Sequence, residues 1–72
     1  MADLATDQQR WDIIDMFGHF GIRDLGQVRA DAARILKLDY LSDLRELTRA
    51  DAAELIAELR RALAQERVGG DL

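Results

Sequence analysis

The chain has 72 residues, a net charge of −4 and a pI near 4.7, and it contains neither Cys nor Pro. A chain of this size forms one domain that buries only about 60% of its unfolded surface, and without Cys no disulfide or thiolate metal site can add to its stability. The acidic balance argues against a general grip on a phosphate backbone, and no apolar run approaches the roughly 20 residues of a membrane span.

Residues 1–5 carry no organising pattern and are expected to fray, leaving a helical domain over 6–66 and a flexible tail over 67–72. Asp3 and Asp7, directly behind Met1, do not suit a signal peptide, so the cytoplasm is the expected compartment. Thr6 with Gln9 three residues later forms a capping box for a first helix that runs to about His19. Its apolar residues, Trp11, Ile13, Ile14, Met16, Phe17 and Phe20, cover roughly 220° of the helical wheel at 100° per residue. A helix facing a single core needs a stripe only somewhat wider than about 100°. Ile13, Phe17 and Phe20 are therefore assigned to the core, facing the last helix. Trp11 and Ile14, with Gly18 one turn on, are assigned to a contact surface for a protein partner or a second copy. Gly21 and Ile22 suit the left-handed and hydrophobic positions of a Schellman ending.

Asp24 and Gln27 open a second helix by the same capping logic, with Leu25, Val28, Ala32, Ile35 and Leu36 as its apolar stripe. Gly26 in its first turn weakens it slightly. Leu38, Tyr40 and Leu41 break the period, and Ser42–Leu47 reads as one helical turn. Thr48 caps a long last helix, with Asp51 placed to complete the cap and to suit the helix dipole. Its stripe is Ala52, Leu55, Ile56, Leu59, Ala62 and Leu63. Ala50, Ala53, Ala57 and Ala64 form a small-residue flank that would let a neighbouring helix approach. This helix is expected to fray after Ala64, with Gly69 and Gly70 ending all structure. No alternating apolar run suggests a strand. The expected fold is all-α, with three main helices and a short connecting one packed around the C-terminal helix. The string RADAA occurs at 29–33 and again at 49–53; because the flanking residues do not align, chance composition is preferred to duplication.

Asp12, Asp15 and His19 share a face of the first helix. One helix face rarely closes a metal shell, so an Asp15–His19 pair on a solvated face is the simpler reading. No nucleophile–base or paired-carboxylate arrangement stands out, which points away from an enzyme and implies no cofactor and no metal. Charge is uneven along the chain. Residues 1–22 hold one Arg against four Asp, whereas residues 23–49 hold six basic against five acidic side chains. Arg23, Arg29, Arg34 and Lys37, with Arg45 and Arg49, are thus the alternative surface, for nucleic acid. Asp24, Asp31, Asp39, Asp43 and Glu46 among them favour a mixed-charge solvated surface.

Gln9, Gly21-Ile22-Arg23-Asp24, Ser42-Asp43, and Leu47-Thr48 with Ala52, Leu55, Ile56 and Leu59 together resemble a small helical module. It is found at the C-terminal ends of phage and prophage single-strand annealing proteins of the RecT, Erf and Rad-type kinds, with similar segments in Mu-type host-modulation proteins. The resemblance spans about Thr6 to Leu63. It implies a docking module for a protein of DNA recombination or replication. In two respects the chain departs from the pattern. These 72 residues do not include the annealing domain that normally precedes the module, so the resemblance implies no annealing activity for them, and Asp7, Asp12 and Asp15 stand on a first helix that is basic in several relatives.

Overall fold

The computed structural model describes residues 3–70, with side chains placed through Gln65. Three α-helices, α1 (Asp7–His19), α2 (Leu25–Ile35) and α3 (Arg49–Gly70), are joined by loops, the second containing a one-turn 3-10 helix at Leu44–Glu46. The fold is all-α, and α1 packs far more extensively on α3 than α2 does on either. No helix among the described residues is long and apolar enough to cross a membrane.

Local chemistry explains both ends of α1 and α2 and the start of α3. Thr6 Oγ1 accepts the Gln9 amide at 3.1 Å and Gln9 Oε1 accepts the Thr6 amide at 3.0 Å, a complete capping box. Ile22 donates its amide to the Phe17 carbonyl and Gly21 to that of Gly18, with Gly21 at φ 82°, which is a Schellman ending. Asp24 caps α2 by accepting the Gln27 amide at 3.0 Å. The Gln27 side chain does not return to the cap; it donates to Asp31 Oδ1 instead. A second Schellman ending closes α2, with Lys37 donating to the Arg34 carbonyl and Leu38 to that of Ala33. Lys37 holds the left-handed position at φ 58°, normally taken by glycine. Thr48 Oγ1 accepts the Asp51 amide at 3.0 Å and caps α3.

The core joins Ile13 and Phe17 of α1, Val28, Ala32 and Ala33 of α2, Leu41, Leu44 and Leu47 of the connection, and Ala52, Leu55, Ile56 and Leu59 of α3. Phe20 packs half-buried against it. The second connection is therefore core-forming, not mere linkage.

Five expectations are corrected. Of the segment 1–5 expected to fray, residues 1 and 2 lie outside the described residues, while the other three are bonded to the start of α3: Leu4 pairs with Thr48 in an isolated antiparallel bridge, Ala5 donates to the Leu47 carbonyl at 2.9 Å, and Arg49 donates to the Asp3 carbonyl at 2.7 Å. The Arg49 amide is one of the unpaired donors at the start of α3, so this bridge also finishes the helix end. The α3 backbone stays helical through Gly70, past the expected break at Ala64, while Asp71 and Leu72 lie outside the described residues. The alanine flank Ala50, Ala53, Ala57 and Ala64 is exposed, because α1 and α2 both meet the Leu/Ile face. Leu25 is not core: it is the first residue of α2 and stands 52% exposed. Asp31 is not on a solvated face: it is 8% exposed, with Gln27 Nε2 at 3.0 Å and Arg34 Nη2 at 3.1 Å. The two RADAA segments fall in mid-α2 and in the first turn of α3, so they are not equivalent structural units.

Candidate protein-interaction site

Helix packing leaves α1 with the apolar surplus that its wide arc predicts. Ile13 and Phe17 point into the core, and Trp11 stands 63% exposed. Beside it, α1, the start of α2 and the 3-10 turn enclose an open groove of about 310 Å³. Arg10, Trp11 and Ile14 contribute from α1, Leu25 and Arg29 from α2. Asp43, Leu44 and Arg45 close it from the connection. Leu44 is buried and Ile14 half-buried, so the interior is apolar, while Trp11 and Leu25 remain in water.

Two of the groove's charges are already engaged. Arg10 donates to the Ala5 carbonyl at 3.3 Å and pairs with Asp7, and Asp43 Oδ1 accepts the Arg45 amide at 2.9 Å. The Arg29 and Arg45 guanidiniums have no ion-pair partner among the described residues.

The three residues expected to form one contact edge are distributed over two grooves that share Ile14. Trp11 lines the first, and Gly18 lines a second with Asp15, His19, Ile22 and Arg23. Nothing lies within 4 Å of where a Cβ on Gly18 would stand, so this chain's own packing does not require glycine there. A third groove, adjoining the first at Arg29, carries Leu38, Arg34 and the 77%-exposed Tyr40. Sequence reading missed the contributions of Leu25 and Arg45 to the groove; period alone placed Leu25 on the core stripe.

Of the basic middle, Arg29 lines both the first and the third groove, Arg34 lines the third and pairs with Asp31, Arg23 lines the second, and Lys37 occupies the turn after α2. Asp15 and His19 do not form the expected pair among the described residues, and Asp12 instead accepts from Gln8 Nε2 at 2.9 Å. No group of three or more metal-ligating side chains is assembled among the described residues. Comparison of the chain with protein-family models, with characterised proteins and with solved structures finds no match.

Proposed function

We propose that this protein is a non-catalytic docking module that binds another protein through the groove beside Trp11, in the setting of phage-type DNA recombination or replication that the sequence resemblance implies. The observation that supports this reading is the pairing of two large apolar side chains, Trp11 and Leu25, exposed around one concave, apolar-floored groove. Apolar surface concentrated in this way marks interaction sites in soluble proteins, and Trp is prominent among binding hot spots. Trp11 is also the chain's single tryptophan, so its emission reports on this groove alone.

The test is Trp11→Ala, with melting, oligomeric mass and partner capture measured on the same protein. The reading expects a variant that melts near wild type and no longer retains a recombination or replication protein that the wild type captures. Large loss of stability with unchanged mass and capture would overturn it. A second reading, single-stranded nucleic acid, draws on the placement of Trp11 among Arg10, Arg29 and Arg45, since bases stack on aromatics within cationic grooves. It requires binding that weakens steeply as salt rises.

A further inference from the structure

We infer that the occupant of the Trp11 groove is an acidic segment of a partner protein that carries an apolar anchor: the anchor sits between Trp11 and Leu25, and carboxylates pair with Arg29 and Arg45. This rests on the docking reading above and adds the partner's chemistry to it.

Charge complementarity selects the occupant. The chain as a whole is at −4, yet the groove is lined by three Arg against one Asp. Arg10 and Asp43 are occupied within the fold, which leaves Arg29 and Arg45 as the cations available to a ligand. Asp24, which caps α2 through the Gln27 amide, lies near the Arg29 guanidinium without forming an ion pair with it. Arg29 comes from α2 and Arg45 from the 3-10 turn, so two separate elements place an Arg along one apolar seat. A planar guanidinium pairs with a carboxylate through two parallel hydrogen bonds, a geometry that specifies as well as attracts.

Other occupants fit less well. A basic segment is repelled, and a purely apolar one would cover two guanidiniums without giving them a partner. A polynucleotide carries charge continuously and would extend beyond the groove over a chain whose net charge is −4. A second copy meeting this groove across a two-fold axis would bring the same patch, three Arg against one Asp, onto itself. A short acidic segment presents its carboxylates only where the cations stand.

The experiment is selection of binders from a random peptide library displayed on phage, using the full chain and three variants, with selected peptides then titrated by Trp11 emission. Wild type is expected to enrich Leu, Phe or Trp flanked by Asp and Glu. Arg29→Glu combined with Arg45→Glu should lose those peptides by roughly tenfold or more in affinity, about 1.4 kcal/mol or more. The same double variant should enrich Lys- and Arg-flanked peptides instead. Neither side chain makes a hydrogen bond or ion pair among the described residues, so this variant should melt as wild type does; Arg29→Gln with Arg45→Gln serves if it does not. Trp11→Ala should select nothing from the library.

Apolar peptides without acidic enrichment, lost in Trp11→Ala, would overturn the acidic partner while leaving the docking groove standing. So would a wild-type dimer dispersed by Trp11→Ala. A labelled oligo-dT that binds with a steep salt dependence and displaces the peptides would replace protein by nucleic acid and overturn both readings. If wild type selects no peptides and Trp11→Ala leaves mass and partner capture unchanged, both readings also fall.

Discussion

Gln9 joins the start of α1 to the start of α3: its Oε1 accepts the Thr6 amide at 3.0 Å, and its Nε2 donates to the Arg49 carbonyl at 3.2 Å. One side chain thus completes a local cap and a contact forty positions away. Together with the Leu4–Thr48 bridge, it ties the N-terminal segment and α1 to the first turn of α3. Gln9→Ala should cost about 1–2 kcal/mol, the size of a lost cap plus a partly exposed hydrogen bond. Gln9→Glu separates the two roles, because glutamate completes a capping box but has no N–H to give Arg49. Urea denaturation should rank the proteins wild type, then Gln9→Glu, then Gln9→Ala. Equal stability of the first two would mean that the contact to Arg49 contributes nothing.

Lys37 is a site where the native residue works against the fold. A left-handed residue with a Cβ costs about 1–2 kcal/mol, and glycine recovers most of it while returning some unfolded-state entropy. Lys37→Gly should raise stability by about 0.5–1 kcal/mol net. Gly21→Ala, at φ 82°, should lower it by about 1 kcal/mol. Thermal melts of the two variants should move in opposite directions.

Leu55 and Leu59 face the centre of the core, and Leu55 has no exposed surface. Either residue changed to Ala should cost roughly 2–5 kcal/mol. For so small a domain, with stability near the low end of 5–15 kcal/mol, this is enough to lose cooperative unfolding at moderate temperature, as circular dichroism would show. Trp11→Ala is the contrast. A core Trp would cost about 3–5 kcal/mol, but a residue this exposed should stay within about 1 kcal/mol of wild type.

Asp31 makes Arg34 a structural residue. Arg34→Ala leaves a buried carboxylate with only Gln27 as a partner, so it should destabilise by about 1 kcal/mol, more than a typical surface change. Arg34 is itself mostly exposed, and solvent screening holds the effect to that range. Asp31→Leu removes the buried charge altogether and should be close to neutral. Denaturant midpoints of the two variants settle the order; a neutral Arg34→Ala would return Arg34 to the free cationic surface.

The starts of all three helices and the end of α1 were legible because capping is local. Thr6 with Gln9, Gly21 with Ile22, Asp24 and Thr48 each act on amides or carbonyls within one turn of themselves, so residue identity and spacing suffice to place them. The core faces of α1 and α3 were legible for a similar reason: periodicity determines which side chains share a side. It also exposed the surplus on α1, since an arc wider than one neighbour can cover must leave something outside, and that residue is Trp11.

What the sequence by itself determined, then, is the set of helices, their N-terminal caps, the end of α1 and the buried stripe of α3. Periodicity does not say where a stripe ends against its neighbour, so only the packed structure could place Leu25, at the tip of α2, in water. Burial of Asp31 depends on elements distant in sequence, as does the exposure of the alanine flank of α3. The Asp3–Ala5 bridge uses backbone groups alone and leaves no side-chain signature to read. The groove was the least legible feature, because it exists only where α1, the start of α2 and the 3-10 turn meet. Trp11, Leu25 and Arg45 become neighbours through tertiary packing, which local spacing does not encode.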